Sequence, residues 1–432
     1  MKTKLLFITI AALSCQLMGG ELSLHNCYDK AEKTHPLQQE WQNRQMIYHL
    51  NRKNLTVKWL PDLNVNARAT YSSDVASFDN ILGTLPIPIS ADALPNTPKD
   101  QYKFTIDISQ TLFDGGAVHA AKKMEQSALR VDLQAIQTEF YKVHDQVNQV
   151  YFASLMLQKQ TELAKIYKNE LQERRAALES GVQNGVILPS NVDVLDAEGL
   201  KIDQQIAELS IQQNRTKKIL SELIDEDVSD CVLFLPEVHM PADSTIARPE
   251  IYLFENQKEV LEMNKKVIQT EQIPKAAAFI SYGYGQPPGN DFFNDQFDTY
   301  YTVGVAVSWN IFNWNTTKRN KQILQVKQKI VDAKEENFKK QIRIALNSSL
   351  AEVDRLKMLL DSDKKLISLR EKIKNAATSK LNNGTISSTE FLTELNAERE
   401  ARINYEMHKV QLVQAKVGYR TLSGQINLKS EK

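Results

Sequence analysis

Hydrophobic positions along the chain follow two periods, and the pair of periods occurs twice. In Ile136, Phe140, Val143, Val147, Val150, Ser154, Leu157, Thr161 and Ala164 the steps alternate four and three. That is the heptad seam of helices packed along their length. The same seam returns 199 residues later as Ile342, Leu346, Ser349, Val353, Leu356, Leu360 and Asp363. Neither glycine nor proline occurs from Ala117 to Ser180 or from Val305 to Asn383. The pattern therefore predicts two helices several times the ordinary length of about 11–12 residues.

Ahead of each long helix the period changes to two. Leu63, Val65, Ala67, Ala69 and Tyr71 alternate with Asn64, Asn66, Arg68, Thr70 and Ser72. Tyr102, Phe104, Ile106 and Ile108 alternate with Lys103, Thr105, Asp107 and Ser109. In the second half Tyr301, Val303, Val305, Val307 and Trp309 alternate with Thr302, Gly304, Ala306, Ser308 and Asn310, and 278–285 is a weaker fourth strand. Strands of about ten residues, apolar on one side and polar on the other, suit a membrane barrel with a wet interior. A soluble sheet with one buried face has the same period.

The repetition sets the organisation. Phe113 and Phe312 are 199 apart, as are Gly185 and Gly384, while Pro36 and Pro61 match Pro249 and Pro274 at an offset of 213. The first repeat is expected over 21–224, with a helix at about 30–58, a strand pair within 62–113, a long helix 115–181 and a return helix 190–224. A connector, 225–248, leads to the second repeat, 249–424. There the helix is 249–273, the strand pair 275–312, the long helix 315–382 and the return helix 388–424, before a tail 425–432. Each long helix is expected to pack against two shorter ones stacked end to end, in a long helical domain with strands at one end. The fold class is mainly α with a small β part, internally duplicated.

Charge and composition narrow the chemistry. Lysine plus arginine and aspartate plus glutamate both number 53, which argues against a nucleic-acid partner held by phosphate neutralisation. Basic Met1-Lys2-Thr3-Lys4 followed by apolar 5–13 reads as a signal peptide, 1–20, cleaved near Gly19 or Gly20. Ala12-Leu13-Ser14-Cys15 loosely resembles a lipoprotein box, which makes Cys15 a candidate lipidation site. No later run has 18 consecutive apolar residues, so an exported chain of this kind enters a membrane only as strands. Four strands cannot close in lipid. Two copies would supply eight and three would supply twelve. No catalytic, cofactor-binding or metal-binding constellation is found: the seven histidines have no metal spacing, and His35 and His49 read as surface or packing residues. Cys27 reads as a small buried residue, with a disulfide to Cys231 as the alternative in an oxidising compartment.

Several weak motifs occur in a fixed order. They are Thr34-His35-Pro36 and Arg248-Pro249-Glu250 at helix starts, Pro61-Asp62-Leu63 at a strand start, and Leu112-Phe113-Asp114-Gly115-Gly116 at a strand–helix junction. Two turns complete the set, Gly185…Asp193-Val194-Leu195-Asp196-Ala197 and Gly384…Glu390-Phe391-Leu392…Ala397. With this order and duplication the mature chain resembles the TolC-like outer-membrane efflux channel proteins. The resemblance implies a homotrimer with one shared twelve-stranded barrel in outer-membrane lipid and a coiled-coil helical barrel across the periplasm. It implies a passive conduit for efflux or secretion rather than an enzyme, with a periplasmic adaptor and an inner-membrane transporter as partners. Substrate specificity would then sit largely in the transporter.

The same resemblance marks Asp193, Asp196 and Glu390, with Glu394 behind, as carboxylates narrowing a periplasmic gate. Ordinary first-turn acids favoured by the helix dipole are the simpler reading. Asn184, Gly185, Val186, Asn383, Gly384 and Thr385 are the implied adaptor contacts, and also fit plain helix capping. Asn313-Trp314-Asn315 departs from the family's Asp-Gly-Gly, so that junction is expected to turn differently. The short tail would leave the belt around the tunnel mainly to 225–247. Proline-bearing 85–98 and 285–298 read as extracellular loops. The competing reading is a soluble or lipid-anchored coiled-coil envelope protein.

Overall fold

The computed structural model describes residues 21–75, 97–241 and 245–426. The expected signal segment with Cys15, nearly all of the 85–98 loop, residues 242–244 of the connector and the end of the tail lie outside them. In chain order the elements are β1 (Glu21–Leu22), α1 (Leu24–Thr34), α2 (Leu37–Val57), β2 (Asp62–Tyr71), β3 (Asp100–Phe113), α3 (Ala117–Gln183) and α4 (Pro189–Ile224). Then follow β4 (Val232–Leu233), α5 (Pro249–Thr270), β5 (Lys275–Gln286), β6 (Asp298–Ser308), α6 (Thr316–Asn382) and α7 (Ser388–Ser423). The fold is mainly helical, and both long helices run 67 residues unbroken, with Gly181 near the end of α3 the one glycine or proline in either.

Helix ends follow local chemistry. Ser23 caps α1 by accepting the Asn26 N–H. Pro36 bars the helical conformation at the residue before it, and His35 is extended at φ −62°, ψ 139°. The single helix expected at about 30–58 is therefore two, and α1 begins earlier, at Leu24. Pro189 opens α4, Asp225 closes it in the left-handed region, and Gly424 closes α7 in the same way.

The chain divides into two compact units. One holds residues up to Gln42, Gln134–Tyr252 and those from Lys334 onward; the other holds Asn43–Leu133 and Leu253–Ala333. In the first unit α1, α3, α4, the connector and α7 share a core of Leu24, Cys27, Tyr28, Val147, Tyr151, Phe152, Leu155, Leu220, Ile224, Val228 and Val410. Here the expected seam needs correction. Tyr151, Phe152 and Leu155 are fully buried, whereas Val150 and Leu157 are only partly so. A two-helix seam buries a narrow stripe, but this stretch of α3 is covered from several directions and buries a wide arc. The Tyr151 hydroxyl lies 2.9 Å from the Leu22 carbonyl and 2.7 Å from that of Phe234, and accepts the Phe234 N–H at 3.2 Å. It thereby fastens the connector beside β1–β4, a two-residue parallel ladder that the sequence pattern did not suggest. Arg248 lies 4.7 Å over the Tyr141 ring, pairs with Glu250 and donates to the Thr421 carbonyl at 3.1 Å near the end of α7. That gives Arg248-Pro249-Glu250 a packing role.

In the second unit β2-β3-β5-β6 form one antiparallel sheet. The rings of Tyr300 and Phe279 cover Gly283 and Gly304, where a Cβ would come within 2.4 and 2.8 Å of them. Each hairpin hands over to its long helix through two left-handed residues: Gly115 and Gly116 at φ 67° and 83°, Trp314 and Asn315 at 53° and 62°. The second junction thus keeps the backbone turn of the first despite its different residues. The side-chain bonding is what differs. Asp114 accepts the Gly116 and Val118 N–H groups at 2.8 and 2.6 Å, whereas Asn313 donates to the Thr317 hydroxyl at 2.6 Å.

Candidate functional site

Strand register places most apolar residues of the four strands on one side of the sheet, with Phe279 and Tyr300 on the other. Val65 stands opposite Ile106, Ile106 opposite Tyr282, and Tyr282 opposite Tyr301. One step along, Leu63, Ile108, Ile280 and Val303 make a second row. These side chains are not buried: Leu63 is 62% exposed, Val303 66%, Val305 64% and Val307 70%. Tyr71, Tyr102 and Tyr284 cluster toward one end of the sheet and Trp309 follows the other. The opposite face is polar. Asp107 accepts hydrogen bonds from Asn66 at 2.7 Å, from Thr105 at 2.8 Å and from Ser281. A contiguous exposed apolar face marks an interaction surface rather than a solvated one. Aromatics at its ends and a polar reverse are the pattern of the outer surface of a membrane strand set. Among the described residues no helix is long and apolar enough to cross a membrane.

The sheet is open. β2 and β6 are its outermost strands, and their free edges run antiparallel to each other, since the strands alternate in direction. A β6 edge can therefore take a second copy's β2 without breaking the pattern. Such edges are not tolerated in hydrocarbon, where no water satisfies the backbone.

In the first unit the two glycine turns sit side by side. Val186 N–H reaches the Gly181 carbonyl at 3.0 Å and Thr385 N–H the Lys380 carbonyl at 2.9 Å, with Gly185 and Gly384 left-handed at φ 71° and 68°. Asn191 Oδ1 accepts the Ser388 N–H at 3.0 Å, joining one turn to the other. Beneath them Leu195, Ile202, Phe391 and Leu395 are buried, and Lys374 pairs with Glu170 at 2.9 Å. Asn184, Gly185, Val186, Asn383, Gly384 and Thr385 are all exposed. Leu188, 69% exposed beside 77% exposed Val186, extends this surface. Sequence reasoning passed over it because it reads as a residue before the next helix.

The four carboxylates differ in how they are engaged. Asp196 is gripped by Arg175, which also pairs with Glu179 at 2.9 Å, and Glu394 accepts from Arg370 at 3.4 Å. Glu390 completes a capping box, accepting the Ser387 N–H at 2.8 Å and the Ser387 hydroxyl at 3.0 Å. Those hydrogen bonds hold its carboxyl below the usual range, with a smaller contribution from Lys380. Asp193 is exposed and, among the described residues, makes no hydrogen bond or ion pair. Sequence spacing gathered the four as one set; the structure separates one uncommitted acid from three with work inside the chain.

Against this geometry the comparisons with known proteins fall into place. The sequence signature of the Outer membrane efflux protein family matches residues 32–221. No curated protein sequence matches the chain. Among solved structures it is similar to the outer membrane protein VceC of Vibrio cholerae, at 14% identity and a TM-score of 0.63 over 94% of this chain and 97% of that one. It is similar to the MtrE outer membrane channel of Neisseria gonorrhoeae in its open state, at 15% identity and 0.63, covering 95% and 91%. The CmeC outer membrane channel of Campylobacter jejuni gives 14% and 0.62, covering 94% and 87%. At these identities the structural likeness speaks for the fold. The family description expected from the motifs is the one whose signature matches, over 190 of the 432 residues (32 to 221).

Proposed function

We propose that this chain, an outer-membrane efflux protein by family signature and by fold, is the outer-membrane channel of a tripartite efflux or secretion system. Three copies close β6 to β2 around a ring, so that three four-stranded sheets become one barrel in the outer membrane. The helical part lies in the periplasm. The observation that carries this reading is the exposed apolar sheet face with its polar reverse and two unpaired edges. Conduction is passive: it needs a continuous wet path rather than a reacting group. The paired turns around Gly185 and Gly384 take the adaptor, and an inner-membrane transporter loads the path.

Around a three-fold axis Asp193 is the carboxylate best placed to act between copies, since its side chain has no partner in its own. Three such acids repel one another and draw cations. Asp196 and Glu394 shape the entrance through Arg175 and Arg370, and Glu390 holds the start of α7.

The test is the size and heat stability of the protein extracted from outer membranes in mild detergent. A trimer with strand signal, present only in the membrane fraction, is the expected result. A soluble monomer or dimer would overturn the barrel and favour a coiled-coil envelope protein.

A further inference from the structure

The two cysteines of the described chain lie 204 residues apart in sequence, one in a helix and one in the connector. Folding brings both to one place. β1 and β4 pair in parallel, Glu21 with Val232 and Leu22 with Leu233. Cys231 directly precedes this ladder, and Cys27 follows it by one turn of α1. On the next turn Lys30 pairs with Glu226 of the connector. The cysteines are thus bracketed by two contacts that fix α1 against 226–233. Both pack into the same core: Cys27, 0% exposed, among Leu24, Leu220, Ile224 and Val228, with Cys231 partly buried against that cluster. Burial pushes the Cys27 thiol up to about 12, against a lowering by Lys30 and with smaller upward contributions from Cys231 and Glu226. A packing role accounts for Cys27 alone. It does not account for a second, partly buried cysteine packed against the same core from the connector.

We propose that Cys27 and Cys231 form a disulfide in the exported protein, pinning the first helix to the connector; this rests on the chain reaching an oxidising compartment, as the channel reading requires. The oxidant is a protein disulfide. Cys231, the more accessible sulfur, attacks it as a thiolate, forming a mixed disulfide and expelling one thiolate of the oxidant. Cys27 then loses its proton, attacks Cys231 Sγ and expels the oxidant's second sulfur. Two electrons and two protons leave the cysteines, and the oxidant ends as a dithiol. Because Cys27 is buried and its thiol is hard to ionise, closure belongs to folding, before α1 seals the core. The bridge would enclose a long loop, and the unfolded-chain freedom removed grows with loop length.

The test begins with cells expressing the full chain, quenched in acid, denatured, and alkylated before and after reduction. Neither Cys27 nor Cys231 should label until reductant is added, and a non-reducing digest should yield one peptide pair joined through them. Label on both before reduction, or either sulfur bridged to another copy, overturns the proposal. Full-length protein in mild detergent, unfolded, reduced and refolded in a glutathione buffer, separates geometry from compartment. Failure to close there overturns the geometry and leaves the channel reading intact. Closure there with open thiols in the cell overturns the proposal through the export it rests on. As a second readout, Cys231→Ser should lower Tm as much as reductant lowers that of the wild type, and reductant should do nothing further to the variant.

Discussion

Arginine in place of Val303 decides between a sheet face that meets lipid and one that meets water. Val303 is near the middle of β6, opposite Ile280 of β5, and 66% exposed. If that face is solvated, the substitution adds charge at an open position and changes stability by no more than about 0.5 kcal/mol. If the face lies at the bilayer midplane, each arginine costs about 2–4 kcal/mol. A trimeric barrel repeats the substitution three times, so the assembled channel loses about 6–12 kcal/mol, comparable to the whole stability of a typical domain at about 5–15 kcal/mol. Thr302→Arg is the control, one residue away on the polar face, opposite Ser281. The assay is the fraction of heat-resistant oligomer in the outer-membrane fraction at matched expression. Val303→Arg should abolish it, and Thr302→Arg should leave it near wild type. Equal yields from the two variants would refute the membrane assignment of this face.

Further predictions concern the turns and the junctions. Arginine at both Gly185 and Gly384 meets no atom within 4 Å at its Cβ but must adopt left-handed φ, at about 1–2 kcal/mol each. The oligomer should therefore persist while export fails; unchanged resistance to an exported toxicant would remove the turns as adaptor contacts. Asp193→Asn should blunt the block of single-channel current by divalent cations in planar bilayers more than Glu390→Gln does, whereas equal effects would deny Asp193 its separate role. Glu390, with its folded-state pKa depressed, contributes stability above the unfolded value of about 4.3 that is lost as pH falls through the lower folded value. The Tm gap between wild type and Glu390→Gln should accordingly be present at neutral pH and close in acid; a gap independent of pH would sink the capping argument. Gly115→Ala places a Cβ 2.8 Å from that of Ile273 at φ 67°, while Gly116→Ala meets open space at φ 83°. Strain alone predicts about 1–2 kcal/mol for the second, and overpacking adds about 1–3 for the first; equal Tm losses would contradict this.

Features repeated over many residues were the legible ones. Two breaker-free stretches became two long helices, and period-two alternation became four strands whose apolar residues mostly share a face, because both patterns are local and sum over many positions. What depended on one contact far away in sequence was not legible. The Tyr151 hydroxyl binding the connector, the β1–β4 ladder and the shared core of Cys27 and Cys231 leave no periodic trace. At the second strand–helix junction the sequence misled in an instructive way. Without glycine at Trp314 and Asn315 a different turn was expected, yet the backbone keeps the left-handed pair at an intrinsic cost of about 1–2 kcal/mol per residue. Holding the last strand of the hairpin in register with the start of α6 evidently outweighs that cost. Among the acidic residues, spacing identified the right region but not who was already occupied, since Arg175 and Arg370 reach their partners from another helix.

The two halves also diverge in a way that bears on assembly. Of the large apolar side chains left exposed among the described residues, α3 contributes only Ile166. Its duplicate α6 exposes Ile323, Val326, Ile330, Ile344, Leu350, Met358, Leu366, Leu369 and Ile373. Both helices carry the same inherited seam, and in α6 that seam is satisfied: Ile342, Leu346, Val353 and Leu356 are buried. The exposed residues are therefore a second apolar surface added to one copy only. Ile323, Val326 and Ile330 fall at steps of three and four, as do Leu366, Leu369 and Ile373, the spacing of a face that packs on another helix. A duplicated chain working alone would have no use for that asymmetry. A chain repeated around an axis does, because one half must meet its own partners while the other must also meet a neighbour's. The β2 and β6 edges, unpaired among the described residues, make the same demand in backbone hydrogen bonds that α6 makes in apolar surface, and the trimer proposed above would answer both.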